Sequence, residues 1–201
     1  VTLMNENYAQ PNLPEGVEED IIKGLYRYVV QTPQQPSRGS VRLLGSGTIL
    51  REVIAAGELL AQDWGVTCEI WSATSFSELA RDAREVERWN RLHPQQLARS
   101  RHLESCLPGR APVIAASDYV RAWPQSIASY LDAPFTALGT DGFGRSDTRA
   151  QLRDFFEVDS RQIALAALAA LSREGVLAPE VCTEAIERYA IEVDSEAPWT
   201  V

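Results

Sequence analysis

The chain has 201 residues and a formal charge of −9 at pH 7. An acidic surface repels phosphate backbones, so we expect no nucleic-acid partner, and the apolar run 164–171 is too short to cross a membrane. Cys68, Cys106 and Cys182 lack paired spacings and are typical of reduced thiols in a cytoplasmic protein.

The first thirty residues predict a linker that leads into a strand. Val1–Met4 has the residues of a strand, and the chain has no initiator Met at position 1. We therefore expect that the chain is a piece cut from a longer protein. A polar, proline-rich linker follows over Asn7–Gly16. Glu18–Gly24 predicts a short helix with an acidic first turn, and Leu25–Gln31 has the β-favouring residues of a strand.

Strands and helices alternate over the rest of the chain. Further strands are predicted at Val41–Leu44, Val66–Trp71, Val113–Ala116 and Phe135–Leu138. Helices are predicted at 49–64, from Ser75 to about Asn90, after Asp118, and at Thr148–Phe155, Ser160–Arg173 and Pro179–Ala190. This alternation predicts a Rossmann-like, three-layer α/β domain with a mostly parallel sheet of about five strands flanked by helices. Leu25–Gln31 is expected at an edge, where antiparallel pairing is allowed.

Several residues mark expected helix starts. Ser75 and Glu78 have capping-box spacing, Ser117–Asp118 is a suitable N-cap pair, and Asp159 can cap the helix after it. Pro124 requires that its helix begin late or kink. The segment His93–Arg110 is expected to be irregular.

The polar loop 139–147 stands out because it contains three glycines. Glycines allow a positive φ or the close approach of another surface. Asp141 and Asp147 bracket Arg145 in this loop. A turn capped by Ser146 or Asp147 is the alternative to a functional loop.

Two other patterns suggest chemistry but lack essential parts. Gly45 and Gly47 lie between a strand and a helix, as in a dinucleotide-binding turn, and Glu69 lies where a ribose-binding carboxylate would follow. The third glycine of that pattern is replaced by Leu50, and Glu69 is in mid-strand. A tight turn in a Rossmann-like sheet explains the residues better.

Metal and nucleophile motifs are also incomplete. His93, His102 and Cys106 share one irregular segment but have no carboxylate partner at metal-ligand spacing, so a surface loop explains them better. No nucleophile elbow or phosphate-binding Gly-Lys-Ser/Thr motif is found. The sequence therefore predicts a binding or assembly domain without an active site of its own.

Seven segments in chain order resemble the homodimeric pyruvate dehydrogenase first component. They are Met4–Pro11, Leu43–Gly47, Thr74–Asp82, Glu87–Asn90, Leu92–Pro94, Ser117–Tyr119 and Leu138–Asp147. The resemblance covers essentially the whole chain. Asn5 departs from it, because the family has a histidine there.

The resemblance implies a thiamine diphosphate-dependent homodimer that decarboxylates pyruvate. Such enzymes reductively acetylate a lipoyl group on the dihydrolipoyl acetyltransferase component of the complex. Residues 1–16 would end the upstream pyrimidine-binding domain and form the linker, and residues 17–201 would form a transketolase C-terminal-like domain. Thiamine diphosphate, magnesium and the catalytic residues belong to the upstream domains, so we expect no catalytic, cofactor or metal residue in this chain.

The resemblance also suggests a role for the glycine-rich loop. It would pack against the upstream catalytic domains or the second subunit, with Asp141, Phe143, Arg145 and Asp147 as interface candidates. Arg145 has two expected uses: an ion pair with Asp141 or Asp147 within the loop, or a contact with a carboxylate on a neighbouring domain, which we favour. The alternative for the whole chain is a free-standing Rossmann-like domain that binds a small molecule or nucleotide.

Overall fold

The computed structural model of the chain describes residues 7–9 and 11–201. The strands are β1 (Leu25–Gln31), β2 (Gly39–Ser46), β3 (Val66–Ala73), β4 (Val113–Ser117) and β5 (Phe135–Leu138). The α-helices are α1 (Glu18–Lys23), α2 (Leu50–Trp64), α3 (Phe76–Leu92), α4 (His102–Cys106), α5 (Ala122–Gln125), α6 (Arg149–Phe155), α7 (Ser160–Arg173) and α8 (Glu180–Tyr189). Short 3₁₀ turns occupy Gly47–Ile49, Ala128–Tyr130 and Pro198–Thr200. The strand predicted at Val1–Met4, and Asn5, lie outside the described residues.

The strands form one sheet in the order β1-β3-β2-β4-β5. β3, β2, β4 and β5 are parallel neighbours, and β1 pairs antiparallel with β3 at the edge. This confirms the predicted sheet and the edge position of Leu25–Gln31. Because the chain leaves β2 toward β3 and later returns to β4 on the other side, the strand order reverses between β2 and β4. Ligands of open α/β sheets usually bind at such a reversal.

Helices cover both faces of the sheet. On one face, Val41 and Leu43 of β2 pack in a core with residues of α2, α7 and α8. On the other face, Leu44 packs with residues of α3 and α4. Five consecutive β2 residues, 41–45, are therefore buried, as expected for a central parallel strand with helices on both sides. The run 164–171 is confirmed as part of a buried helix, α7.

Three predicted helix starts can be compared with the structure. Asp159 caps α7, since its Oδ1 accepts a hydrogen bond from the Gln162 backbone N–H at 2.9 Å. Ser75 caps α3 by accepting from the Glu78 N–H at 3.1 Å. The reciprocal half of that capping box is absent from the described contacts, because the Glu78 carboxylate pairs with Arg81 instead. The Ser75 half of the predicted capping box is therefore confirmed, and the Glu78 half is wrong.

The prediction that Ser117–Asp118 caps a helix is wrong. The next helix, α5, begins at Ala122, and its third residue is Pro124. Proline lacks a backbone N–H and is tolerated in the first turn of a helix, which delays the start of α5. Ser117 instead accepts a hydrogen bond from the Tyr119 N–H at 3.1 Å.

The segment 93–110 is also more ordered than expected, because it contains α4. The Glu104 carboxylate accepts from the Arg101 N–H at 3.0 Å, and Asp82 of α3 accepts from the His102 N–H at 2.9 Å. Leu103 is fully buried and anchors the helix. A helix of five residues is too short to produce a recognisable apolar period.

We expect Leu43→Ala to lower the free energy of unfolding by about 2–5 kcal/mol, because it leaves a cavity in the central strand. Leu43 is 0% exposed and Leu97 is 92% exposed, so Leu97→Ala is the matched control and should change stability by about 0.5 kcal/mol or less. Urea denaturation measures both. Equal effects of the two substitutions would contradict the assigned core.

Candidate functional site

The carboxyl ends of the parallel strands bring three loops together. These are the turn Gly47–Ile49 after β2, residues 118–121 after β4 and residues 139–148 after β5. Parallel pairing places these ends at one edge of the sheet, on either side of the reversal between β2 and β4. The glycine-rich loop is therefore at the edge where function is expected.

Gly139 allows the glycine-rich loop to lie directly on the loop after β4. A Cβ at this position would be 2.6 Å from the Tyr119 carbonyl oxygen and 2.7 Å from the Arg121 nitrogen. The Thr140 N–H donates to the Tyr119 carbonyl at 3.0 Å, and its hydroxyl donates to the Asp118 carbonyl at 2.8 Å. Two loops that are twenty residues apart in sequence thus form one unit.

Gly142 closes the same loop against the C-terminal turn. Its φ is +109°, and a Cβ there would be 2.4 Å from the Pro198 carbonyl oxygen. The turn Pro198–Thr200 carries Trp199, whose ring lies 4.7 Å from the Arg121 guanidinium carbon. The structure thus adds a third segment to the site, which the sequence did not indicate.

The four interface candidates have different surroundings. Asp141 accepts a hydrogen bond from the Arg121 N–H at 3.0 Å and forms an ion pair with its guanidinium group. Asp147 accepts from the Thr148 N–H at 2.7 Å, just before α6. Both aspartates therefore fix the loop. Phe143 has no such role, since 81% of its surface is exposed.

Arg145 pairs with neither aspartate. Its guanidinium carbon lies 3.9 Å from the centre of the Phe155 ring, a cation–π contact. The intraloop ion pair considered for Arg145 is thus not formed in the described part of the chain, and its contact with another domain stays a prediction. The expected helix cap is also different, because Thr148 rather than Ser146 or Asp147 caps α6 by accepting from the Gln151 N–H.

A network of buried and partly buried charged side chains lies next to the loops. Arg153, which is 9% exposed, donates to Glu52 of α2 at 2.8 Å, and Glu52 also accepts from the Ser160 N–H at 3.1 Å. Asp118 lies 3.9 Å from another Arg153 nitrogen and accepts from the Thr48 hydroxyl at 2.7 Å. This network connects the ends of β2 and β4 with α2 and α7. Its members are far apart in sequence, so no local motif signals it.

Exposed aromatic rings surround these loops. Four aromatic residues here each have at least half of their surface exposed: Tyr119, Trp123, Phe143 and Trp199. We call this set the aromatic edge. The backbone contacts of Gly139 and Gly142 hold the three segments of this set together. Exposed aromatic side chains are enriched in protein–protein interfaces.

The turn after β2 is unsuited to a dinucleotide. A Cβ at Gly45 would be 2.7 Å from the Leu50 Cα, so this glycine serves the packing of the helix on the strand. Glu69 accepts from Arg42 Nε at 3.0 Å and from the Trp71 indole, which leaves it engaged within the sheet. The interpretation of the turn as a structural element is favoured.

The histidines and Cys106 do not converge on one site. Cys106 Sγ lies 3.4 Å from His102 Nε2, whereas His93 stacks on Trp89 elsewhere. Burial, with the negative charge of Asp20 adding to it, raises the pKa of the Cys106 thiol to about 11, so it keeps its proton at neutral pH. Within the described residues, no three side chains of histidine, cysteine, aspartate or glutamate are placed to hold a metal ion.

Comparison with known proteins decides the family. A family model described as the transketolase-like TK C-terminal domain matches residues 24–159. The chain belongs to this family. Within the described residues, no helix of this transketolase-like domain has the length and apolar character needed to cross a membrane.

Relatives of this transketolase-like domain are much longer proteins. It is 48% identical over 204 residues to the pyruvate dehydrogenase E1 component of Cupriavidus necator, covering 100% of this chain and 22% of that protein. The E1 component of Pseudomonas aeruginosa is 48% identical over 200 residues, covering 98% of this chain and 22% of that protein. The similarity is to the C-terminal part of these proteins, and the chain spans about a fifth of their length.

A solved structure shows the same fold. Transketolase from Leishmania mexicana matches with a TM-score of 0.50 and 19% identity, over 77% of this chain and 19% of that one. At this identity the match supports the fold of the transketolase-like domain and nothing about its ligands.

We expect Gly142→Ala to release the C-terminal turn from the glycine-rich loop. The added Cβ is strained at φ +109° and would overlap the Pro198 carbonyl. Gly144→Ala is the matched control, because a Cβ there meets nothing within 4 Å. Hydrogen exchange of the Thr200 N–H, which donates to the Ala197 carbonyl, should accelerate in the first variant and not in the second. Unchanged exchange in both would show that the turn is held by other contacts.

Proposed function

We propose that this chain is the C-terminal domain of a pyruvate dehydrogenase E1 component. The parent enzyme would decarboxylate pyruvate and reductively acetylate lipoyl groups, with thiamine diphosphate and magnesium as cofactors. The observation that supports this most directly is 48% identity, over 98–100% of the chain, with proteins of that name. In this proposal the domain has a structural and assembly role and no active site of its own.

The cofactors do not fit the residues of this domain. A diphosphate needs backbone N–H groups free of neighbouring negative charge and a metal ion held by oxygen ligands. At the turn after β2, the Thr48 hydroxyl already donates to the Asp118 carboxylate and is not available to a diphosphate. The described residues also lack a set of three metal ligands. Cofactor binding is therefore assigned to the upstream domains.

The aromatic edge supports the assembly role. Aromatic residues are enriched in protein–protein interfaces, and exposing them to water is unfavourable. In the proposal, the upstream domains of the same chain, or the second subunit of a homodimer, cover the aromatic edge. Asp141 and Asp147 would hold the loop in shape, while Phe143 and Arg145 would face the partner surface.

The partner component, the cellular compartment and the domain bounds follow from the proposed assignment to a pyruvate dehydrogenase E1 component. A dihydrolipoyl acetyltransferase component would receive the acetyl group from the parent enzyme, in the cytoplasm. Residues 1–16 would belong to the end of the pyrimidine-binding domain and the linker, and residues 17–201 to the C-terminal domain.

We expect the isolated chain to show no pyruvate turnover and no binding of thiamine diphosphate. The residues that would be needed for both are lacking in the site described above. Turnover is measured against a buffer blank, and binding by calorimetry with magnesium present. Saturable thiamine diphosphate binding, or turnover above the blank, would contradict the proposal that the active site lies elsewhere.

We expect Phe143→Ser to weaken assembly of the full-length enzyme by about tenfold or more, because a buried aromatic anchor is lost from the interface. Melting of the isolated chain should be nearly unchanged, since Phe143 is exposed there. Sedimentation and pyruvate turnover of the full-length enzyme measure the effect.

Leu97→Ser is the matched control, because Leu97 is also exposed but lies in the segment between α3 and α4. It should leave assembly unchanged. Equal behaviour of Phe143→Ser, Leu97→Ser and the unmodified enzyme would exclude the aromatic edge as the interface.

A further inference from the structure

A cavity of about 320 Å³ lies under the glycine-rich loop, next to the reversal of strand order. One part of its wall is apolar and consists of Leu152, Phe156 and Val158. The volume is at the lower end of the range of small-molecule sites, which combine an apolar wall with a few polar groups. The cavity is therefore suited to a small ligand with an apolar body.

The charged lining of this cavity has the opposite sign to the chain as a whole. Arg145 and Arg153 line it, and Asp118 is the one carboxylate among its described lining residues. The chain itself has a net charge of −9. Because Arg145 forms no ion pair among the described residues, its charge favours an anion at this place over a cation.

Arg153 provides the most specific observation. Its side chain is nine-tenths buried, and its Nη1 donates to Glu52. Its Nε and Nη2 are buried and make no hydrogen bond among the described residues, although the Asp118 carboxylate lies 3.9 Å from Nη2. Buried donors are normally satisfied, and one edge of a guanidinium group matches the two oxygens of a carboxylate. An anion in the cavity would supply the missing acceptors after a small adjustment of the side chain.

A second cavity provides a contrast. It has a volume of about 750 Å³ and shares Arg145 with the first, but its other charged lining residues are acidic. These are Asp147, Asp154, Glu157, Glu192 and Glu196. An anion that approaches this end of the domain is repelled from the larger cavity and attracted to the smaller one. Arg145 forms the wall between them.

We propose that the smaller cavity binds a small organic carboxylate. The carboxylate group lies at Arg153 and Arg145, and the apolar body lies against Leu152, Phe156 and Val158. The apolar wall selects such a molecule over inorganic phosphate, which has no apolar part. The cavity shares Phe143 and Arg145 with the proposed assembly surface, but its occupation requires no pyruvate chemistry.

The test is calorimetric titration of the 201-residue chain with butanoate, inorganic phosphate and butylamine. Butanoate should bind saturably in the millimolar range, which is typical of so small a ligand. Phosphate should bind at least about tenfold more weakly because it cannot use the apolar wall, and butylamine should not bind because of its charge. No butanoate binding, or equal binding of phosphate and butanoate, would overturn the proposal.

Two substitutions locate the binding. Arg153→Met and Arg145→Gln should each weaken butanoate binding by about tenfold or more, because a charge-assisted hydrogen bond is lost. Arg110→Gln removes the same charge from an exposed site outside the cavity and should have no effect. Equal affinity in all three variants would overturn the assignment of the site.

Two further measurements decide the question if a variant or the isolated chain fails to fold. Arg153→Met leaves Glu52 without its arginine, so Arg145→Gln decides the question if that variant unfolds. Where the chain alone does not fold, hydrogen exchange of segment 148–158 in the full-length protein gives the readout, because this segment lies outside the loop proposed to be covered. Butanoate should slow exchange there in the unmodified protein but not in Arg145→Gln. No slowing in either protein would exclude the site.

Discussion

The parallel pairing of β2 with both β3 and β4 is the constraint on which this domain depends. It buries a continuous stretch of β2 between two helical layers, so the strand is mostly apolar and its one charged residue there, Arg42, is paired with Glu69. It also places the ends of β2, β4 and β5 at one edge. Each loop that leaves this edge is therefore close to the others, although the loops are distant in sequence.

Long-range contacts at this edge distinguish the two glycine-containing segments. The turn after β2 is filled by its own helix and by the Thr48–Asp118 hydrogen bond. The loop after β5 instead lies on top of its neighbours and leaves Phe143 exposed. The first segment supports the fold, whereas the second presents a surface. Composition alone cannot distinguish them, since both contain glycine and small polar residues.

The sequence predicted the regular elements well, because their signals are local. The ends of β5 and α7 agree with the prediction, and the mostly parallel sheet follows from the alternation of strands and helices. Errors occurred where a tertiary contact replaces a local one. Asp118 bonds to Thr48 rather than capping a helix, and Glu78 pairs with Arg81 rather than completing a capping box.

The site was predicted only in part for the same reason. The three glycines and the bracketing aspartates identify the loop from the sequence alone. The contribution of Trp199 depends on a contact of Gly142 with a turn more than fifty residues later in the chain. The position of Arg153 beneath the loop depends on Glu52, about one hundred residues earlier. Contacts between residues so far apart in the chain produce no periodic pattern or fixed spacing in the sequence.

Hydrogen exchange of the isolated chain, compared with the same residues in the full-length enzyme, tests the central claim most directly. If the rest of the enzyme covers the edge formed by the three loops, exchange in 119–123 and 139–147 should slow markedly in the full-length enzyme. The exposed face of α3 around Arg81 should exchange alike in both. Equal rates in 139–147, with protection on α3 instead, would contradict the assignment of this edge as the surface for assembly.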